Sequence, residues 1–401
     1  MLEAFICQHC VANKYLREEI VSRGVRVPEC PICKRMNGFA LSADDDRTAR
    51  IVRALIRIHF SEWDYNIHLG GDSLQGLVFS SKAIFDLPVN ADERAFEDVF
   101  LRIEKERGWY PDSDDGIALG GGYWDGGILD GVRGRRDHAV EVLVSAALQQ
   151  NSYLVEPEAR KLVSSLKDDI ALTLNAGQQY FRGRIGVQSR LRKLSPHPTD
   201  SPFSYLPFSG SGIGSPPLLQ ASEGRLNRAR VAVLYLASDQ KTAVAELRPH
   251  PGHLISTAAF RLERDIVVAN FADQDIRNFL SDSRLEDLRT IFSISAVLGV
   301  PVQPEHRTLY TVTQLIADAV RAEGYDGLMF SSSMASGSNL ICFDPAVCSM
   351  VDSSEEIIEV RALNYQFDAV PALKQTYDPG MYKNEADSAL ATLLHAMDRS
   401  Q

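Results

Sequence analysis

Four cysteines in the first 33 residues constrain the start of this chain more than any other feature of the sequence. Cys7 and Cys10 form one C-x2-C pair, and Cys30 and Cys33 form a second pair after 19 intervening residues. Each pair makes a tight turn that directs two thiolates towards one tetrahedral ion, and two such turns complete a four-sulfur shell. The spacing therefore predicts a small zinc-ribbon-like module over residues 1–42 that holds a structural zinc ion.

Length and composition indicate a globular protein of more than one domain. The chain has 401 residues, which at about 150 residues per domain favours two or three domains. Apolar residues make up 45% of the chain and charged residues 24%, which excludes a collagen, a coiled coil and wholesale disorder. The net charge of -11 argues against unspecific coating of DNA, which needs a surplus of Lys and Arg, but it leaves a local basic patch open.

The sequence also favours a cytoplasmic location. No stretch reaches the roughly 18 apolar residues of a membrane helix, so no membrane partner is expected. The first ten residues, MLEAFICQHC, have neither the basic region nor the apolar region of a secretory signal. In a reducing compartment cysteines are more often metal ligands or core thiols than disulfides. Cys342 and Cys348 lie in apolar surroundings and are therefore predicted to be core thiols.

Residues 43–177 have the periodicity of a small helical bundle. In RTARIVRALIRIHF, Ile51, Leu55 and Ile58 recur on one helical face, and later segments repeat this spacing. Pro157 suits the start of a further helix, because proline is tolerated in the first turn. The predicted helices are 44–60, 91–106, 138–149 and 158–174, and the glycine-rich stretch 116–135 is predicted to be a loop.

The pattern changes at Gln178, and residues 178–365 indicate an α+β domain. Short apolar runs of strand type alternate there with helical segments. The Ser-, Pro- and Gly-rich stretch 194–217 predicts an extended loop that gates a site, docks a partner or acts as a spacer. The tail, 366–401, is polar, with one helical stretch near 385–397. The predicted strands are 231–237, 254–261, 266–269, 328–330 and 340–343, and the predicted helices are 240–248, 285–292 and 308–322.

Polar residues interrupt this domain at positions that packing alone does not explain. They fall in four segments spread over the domain in a fixed order. The segments are YFRGR with Arg182, GRLNR with Arg225, LYLASDQKTAVAEL with Tyr235 and Glu246, and YDGLMFSSSMASGSNLICF with Ser331, Ser332 and Asn339.

In this order the four segments resemble the RES domain, a family named for an Arg, a Glu and a Ser. The resemblance covers roughly residues 178–345 and aligns Arg182, Glu246 and Ser332 with the three named residues. It implies an ADP-ribosyltransferase-like fold and an enzyme that breaks the nicotinamide–ribose bond of NAD by hydrolysis or phosphorolysis. Many members are toxins, so NAD depletion and an antitoxin partner are implied as well. The preceding helices are similar to those of the long HEPN/RES members.

The residue types fit this chemistry. A guanidinium binds pyrophosphate oxygens bidentately, which suits Arg182 and Arg225. A carboxylate stabilises an oxocarbenium-like ribose or takes a proton from the attacking water, which suits Glu246. The other candidates are Ser332 or Ser331 to hold the ribose or the amide, Tyr235 to stack on nicotinamide or bond a ribose hydroxyl, and Asn339 to hold the serine loop or the ligand.

Each of these assignments has a purely structural alternative. Arg182 would be an ordinary charged residue at the surface, and the serines at 331–333 would only form a turn. Arg225 would pair with Glu223, and Glu246 would be an exposed helix residue beside Arg248. Tyr235, at the end of a strand, would belong to the core.

Three other functions stay open at this stage. Arg53 to His59 and Arg133 to His138 have the spacing of the Arg–His pair in HEPN ribonucleases, although such pairs are common by chance. A second alternative is a non-enzymatic sensor, in which the N-terminal half recognises a partner or a nucleic acid. Transfer of ADP-ribose to a macromolecule needs the same site as NAD cleavage. The sequence does not decide whether water or phosphate is the acceptor, whether nucleic acid is a partner, or which oligomer forms.

Overall fold

The structure, a computed structural model, divides the chain into two compact units. The first unit contains Met1–Asp137 and Asp275–Ser293, and the second contains His138–Gln274 and Ile294–Ser400. The described residues are 4–60, 72–73, 78–79, 83–105, 118–119, 131–134, 136–194, 201–302 and 304–364, with the single positions 367, 372, 381 and 393.

The first unit begins with a three-stranded antiparallel sheet in the order β1-β3-β2. Its helices start at side-chain caps. Asn13 accepts hydrogen bonds from the backbone N–H groups of Tyr15 and Leu16, and Asp45 accepts one from the N–H of Thr48. The elements are β1 Phe5–Cys7, α1 Lys14–Arg23, β2 Val25–Glu29, β3 Met36–Ser42, α2 Asp46–His59, β4 Asp72–Ser73, α3 Glu93–Lys105 and β5 Ala118–Leu119.

The helical predictions for this unit are confirmed where the chain is described. The stripe of Ile51, Leu55 and Ile58 is buried on one face of α2, as an amphipathic helix requires. The helix predicted over 91–106 is α3. The predicted loop at 116–135 lies mostly outside the described residues.

The second unit combines a large, mostly antiparallel sheet with helices. None of the described helices is both long and apolar enough to cross a membrane. The elements up to the first half of the sheet are α4 His138–Gln149, α5 Ser152–Ser165, α6 Lys167–Ile170, β6 Ala171–Leu174, β7 Gln179–Ile185, β8 Ser189–Arg192, β9 Phe203–Leu206, β10 Leu234–Ala237 and α7 Gln240–Ala245. The remainder are β11 Leu254–Leu262, β12 Ile266–Asn270, α8 Asp282–Gly299, α9 Tyr310–Ala322, β13 Gly327–Ser331, β14 Ser338–Cys342, β15 Cys348–Met350 and β16 Glu356–Glu359. The residues of α8 up to Ser293 are assigned to the first unit, and those from Ile294 to the second.

The strand order of this sheet is β15-β11-β7-β10-β14-β13-β12-β6, with β16 also paired to β11. Only β12 and β13 run parallel among the described pairs of this sheet. Alternate residues of its strands form a buried core, because side chains two residues apart point to the same face. This core includes Leu234, Leu236, Phe260, Val268 and Leu340.

Two sequence predictions for this unit are wrong in part. The helix expected from Pro157 starts earlier, at Ser152, where Asn151 caps it, and Pro157 lies inside it. The segment ALTL at its expected end is a strand, β6, because pairing with β12 gives its backbone a ladder of hydrogen bonds. The expected extended loop likewise contains β9, which pairs with β8.

The other predicted elements are confirmed with shifted ends. The helix expected over 285–292 extends to Asp282–Gly299, and the one over 308–322 is α9. The five predicted strands correspond to β10, β11, β12, β13 and β14. The helical stretch expected near 385–397 lies outside the described residues, apart from one position.

Candidate functional site

A cavity of about 420 Å³ in the second unit brings most of the predicted site residues together. This volume is within the range of small-molecule sites. Strand register explains part of the lining. Ala237 of β10 lies opposite both Phe181 of β7 and Asn339 of β14, and Phe330 of β13 also lies opposite Asn339. These residues and Tyr235, two positions before Ala237, therefore share one face of the sheet and line the cavity.

The helix α7 carries Glu246 to the cavity. Asp239 caps its N-terminus by accepting a hydrogen bond from the N–H of Thr242. Glu246 follows the last helical residue, and the helix lies close against β7 at Gly183. A Cβ atom on Gly183 would lie 2.9 Å from the Leu247 side chain and 3.2 Å from the carbonyl oxygen of Ala243, so any larger residue there would require these groups to shift.

The Glu246 carboxylate is held through one oxygen. Oε1 accepts a hydrogen bond from the Ser332 hydroxyl at 2.6 Å and another from Nδ2 of Asn339 at 2.7 Å. The Ser332 oxygen in turn accepts from the backbone N–H groups of Met334 and Ala335, at 3.1 and 3.2 Å. These two N–H donors leave the hydroxyl proton directed at Glu246. Oε2 has no hydrogen bond to the described residues.

The neighbouring serine has a different role in the structure. The hydroxyl of Ser331 donates to the carbonyl of Ala272 at 3.0 Å. Neither serine is among the residues that line the cavity, and Ser332 reaches it only through its hydrogen bond to Glu246. The structure therefore places Ser332, and not Ser331, next to Glu246.

Arg182 lines the cavity from β7, and part of its guanidinium forms hydrogen bonds within the protein. Its Nε donates to the carbonyl of Ile213 at 2.5 Å, and Nη1 donates to the carbonyl of Tyr235 at 2.8 Å. Burial lowers the pKa of Arg182 to about 10, and it remains charged at neutral pH. Nη2 has no hydrogen bond within the described chain.

Arg225 is also anchored to two backbone carbonyls. Its Nη2 donates to the carbonyls of Leu298 and Val300, the latter at 2.7 Å. Its Nε is buried without a partner among the described residues. Burial lowers the pKa of Arg225, and the negative charge of Glu246 opposes that shift. Glu223, the alternative partner considered from the sequence, instead accepts a hydrogen bond from Gln314 at 3.0 Å.

Tyr235 presents its ring to the cavity, while its hydroxyl is used by the protein. The hydroxyl donates to Oδ1 of Asn227 at 2.7 Å and accepts from the N–H of Leu226 at 3.0 Å. Burial raises the pKa of Tyr235 to about 12, so the hydroxyl keeps its proton. A Cβ atom on Gly224 would collide with Asn227 Oδ1 and with this hydroxyl, which explains the glycine at the start of GRLNR. These contacts favour a role for the ring over a role for the hydroxyl.

Several lining residues were missed by the sequence analysis. Arg248 and Arg307 add two positive charges to those of Arg182 and Arg225, whereas Glu246 is the one acidic residue among the described lining residues. The sequence analysis considered Arg248 only as an exposed neighbour of Glu246. Arg307 and Tyr310 lie near the start of α9, where no motif marks them. The aromatic rings are Phe181, Tyr235, Tyr310 and Phe330.

The four N-terminal cysteines come together in the first unit. All four are buried, and their sulfur atoms lie within 4.8 Å of one another. The Sγ–Sγ distances are 3.5 Å for Cys7–Cys10, 3.6 Å for Cys7–Cys33 and 3.7 Å for Cys10–Cys30. A tetrahedral ion with Zn–S bonds of about 2.3 Å separates its sulfurs by about 3.8 Å. The cluster therefore fits one such metal ion.

The remaining predicted residues lie apart from the cavity. The sulfurs of Cys342 and Cys348 are 3.8 Å apart, with Cys342 buried and Cys348 half-buried. Arg53 and His59 are both on α2, and His138 is exposed at the start of α4. Burial and the nearby charge of Arg133 lower the pKa of His59 to about 4. At neutral pH His59 is therefore uncharged.

Comparisons with known proteins bear on the second unit. Residues 190–368 match the family model described as the RES domain. This stretch contains Arg225, Glu246 and Ser332, whereas Arg182 lies eight residues before it. The comparison with curated proteins finds no match.

One solved structure is similar to part of the chain. It is the crystal structure of the M. tuberculosis MbcT–MbcA toxin–antitoxin complex, matched over 56% of this chain and 93% of the other, at 9% identity and a TM-score of 0.25. At that TM-score the likeness carries no structural argument.

Proposed function

We propose, from the premise that residues 190–368 of this chain form a RES domain, that the cavity binds NAD and breaks its nicotinamide–ribose bond. The observation that carries the proposal is a single carboxylate, Glu246, fixed by Ser332 and Asn339 in a cavity otherwise charged by four arginines. NAD presents the complementary charges, because it has an anionic pyrophosphate and becomes cationic at the ribose as the bond breaks.

The arginines would hold the pyrophosphate. A guanidinium matches phosphate oxygens with paired N–H donors. Arg182 retains Nη2 for this purpose, while hydrogen bonds to backbone carbonyls fix both side chains and Arg225 adds its positive charge. Arg307 is exposed at the cavity and would contribute charge and neutralise the outer part of the ligand. Aromatic rings such as Phe330 and Tyr235 would contact the bases or the nicotinamide.

Glu246 would act on the reacting ribose. As the glycosidic bond breaks, its electron pair goes to the nicotinamide ring nitrogen, and positive charge develops on the ribose. The free oxygen Oε2 would stabilise that charge, because a fixed carboxylate in a partly desolvated site acts strongly on a nearby cation. Ser332 and Asn339 would keep the carboxylate oriented through Oε1.

The acceptor determines the product. With water, Glu246 would take the proton released on attack, and the product would be ADP-ribose. With phosphate, the product would be ADP-ribose 1″-phosphate. A nucleophile on a macromolecule would give ADP-ribosylation, which is the alternative that the same site supports.

The wider setting is proposed from the family resemblance. We infer an ADP-ribosyltransferase-like fold for the RES domain and a HEPN-like character for the helices that precede it. The protein would be a cytoplasmic toxin or defence effector that depletes NAD and is restrained by an antitoxin protein. The four-cysteine cluster would hold a structural zinc ion, since four thiolates close the shell and leave no position for a substrate.

The test is to incubate the purified full chain with NAD, with and without phosphate, and to separate the products. We expect free nicotinamide in both cases. ADP-ribose in both would identify water as the acceptor, and a phosphate-dependent 1″-phosphate product would identify phosphorolysis. NAD that remains intact at high enzyme concentration, in a folded and metal-loaded protein, would contradict the proposal.

A further inference from the structure

A two-stranded ribbon extends from the strand that carries Arg182, and the proposed NAD chemistry makes no use of it. The ribbon consists of β8, Ser189–Arg192, and β9, Phe203–Leu206, paired antiparallel. Six of its eight residues are exposed, and Ser189 and Phe203 are half-buried. The apolar residues Leu191 and Leu206 expose 55% and 45% of their surface. The ribbon is therefore open to solvent on both faces.

One face of the ribbon combines positive charge with aromatic rings. Arg190 lies opposite Tyr205, and Arg192 lies opposite Phe203. Residues two apart on a strand share a face, so all four side chains lie on the same side. The Arg190 guanidinium lies over the Phe203 ring, 3.6 Å from its centroid. Within the described chain, neither arginine has a carboxylate partner.

The base of the ribbon is fixed to the sheet. The fully buried Ser256 of β11 donates a hydrogen bond to the carbonyl of Gly186 at 2.8 Å and accepts one from the N–H of Phe208 at 3.0 Å. It thereby ties the entry and the exit of the ribbon together. The Arg184 guanidinium also covers the Phe208 ring, 4.2 Å from its centroid. A surface held in this way loses little conformational entropy when it binds a partner.

The local charge is opposite to that of the chain as a whole. Residues 170–222 contain five Arg or Lys residues and one acidic residue, Asp200, in a protein with a net charge of -11. An anionic partner would be attracted to this segment and repelled by most of the remaining surface. The charge pattern therefore favours a localised anionic partner.

We propose that this ribbon face binds single-stranded nucleic acid. Arginines on alternate residues are spaced about 6.6 Å apart, which suits successive phosphates of an extended strand. Tyr205, exposed beside them, provides a ring on which a base stacks, and stacking of this kind binds single strands with little sequence preference. An acidic polypeptide would use the two arginines but would have no need of the adjacent aromatic rings.

The proposal is tested by fluorescence anisotropy with labelled oligo(dT) and oligo(U) of about 20 nucleotides, at about 50 and 200 mM salt. The variants are R190E/R192E and Tyr205→Ala, in the full chain. Arg361→Glu is the matched control, because Arg361 is exposed and lies outside the ribbon. Near-ultraviolet circular dichroism checks that each variant keeps its tertiary structure. The NAD reaction is not part of the readout.

We expect R190E/R192E to weaken binding at least tenfold and to lower the dependence on salt, because two phosphate contacts are lost. Tyr205→Ala should weaken binding about 5- to 100-fold, in line with the contribution of one stacked base. Arg361→Glu should bind like the wild type.

Three results would overturn the proposal. The first is no binding by the wild type at low salt. The second is equal weakening by R190E/R192E and Arg361→Glu, which would indicate unspecific charge. The third is an unchanged affinity in Tyr205→Ala together with displacement of the oligonucleotide by poly-glutamate, which would identify the face as a site for an acidic polypeptide.

Discussion

At the scale of single residues, only one of the two oxygens of the Glu246 carboxylate is held by hydrogen bonds from the described residues. Oε1 takes both protein hydrogen bonds, from Ser332 and Asn339, and Oε2 takes none from the described residues. Hydrogen bonds to a charged acceptor are stronger than those between neutral groups. The orientation of the carboxylate therefore depends on these two donors, and we propose that Ser332 is a positioning residue.

Ser332→Ala should reduce kcat for NAD cleavage about tenfold or more while changing KM little, because the carboxylate loses orientation but the arginines remain. Ser331→Ala is the matched control, since its hydroxyl bonds to the Ala272 carbonyl and lies outside the cavity lining. Steady-state kinetics of both variants provide the comparison. A larger loss in Ser331→Ala than in Ser332→Ala would contradict this assignment of the serines.

The sequence marked Glu246 as a candidate, because it is the acid at the end of a short apolar helix and aligns with the glutamate of the RES resemblance. The residue types did not predict which polar atoms of Tyr235 and Arg225 form hydrogen bonds within the protein. That division depends on the carbonyls of Leu298 and Val300 and on Asn227, which the fold brings near. Arg307 had no local signal at all, because only the tertiary structure places it at the cavity.

At the scale of elements, the turn that carries Arg225 depends on helix α9. The hydroxyl of Thr313 donates to the carbonyl of Arg225, and Nε2 of Gln314 donates to the carbonyl of Gly224 at 2.8 Å. Both polar side chains are buried, at 2% and 6% exposure. Helix α9 thus holds the turn beside the cavity through two buried polar side chains.

Thr313→Val keeps the shape of the side chain and removes this hydrogen bond. A buried carbonyl without its donor costs about 1–3 kcal/mol, so the turn should shift and KM for NAD should rise about three- to tenfold. Thr308→Val, at an exposed position just before α9, is the control. If KM in Thr313→Val equals that of the control, the turn is held by other contacts.

Periodicity predicted the elements well where one face is buried. Helix α2 and strand β10 are examples, since burial forces the period of 3.6 or 2 on the sequence. The same approach assigned ALTL to a helix, because the strand state of β6 depends on β12, which lies about 90 residues later in the chain. It also missed β8 and β9, whose exposed positions carry no hydrophobic alternation.

At the scale of the whole molecule, the two compact units rest on different stabilising features. The first unit has the four-cysteine cluster, and the second has the core of the large sheet. In the second unit, Arg228 forms ion pairs with Glu156 of α5 at 2.9 Å and with Asp318 of α9 at 2.6 Å, and it thereby links the two helices. The sequence alone placed a division at residue 178, because the change from helical to strand periodicity occurs there.

Cys30→Ser should lower the zinc content from about one ion per chain to near zero and should lower the thermal unfolding temperature, because metal binding contributes to folding. Cys348→Ser is the matched control, since Cys348 pairs with Cys342 and not with the cluster. Elemental analysis and calorimetry provide the readouts. A native wild-type protein without metal would refute the zinc assignment.

The proposed reaction depends most on Glu246, and it is tested by comparing nicotinamide release by Glu246→Gln with that by the wild type. Glutamine keeps the size of the side chain and removes the charge, so release should fall at least a hundredfold. Glu359→Gln, an exposed substitution of the same kind, should retain wild-type release. Nicotinamide release by Glu246→Gln at the wild-type rate would contradict the account.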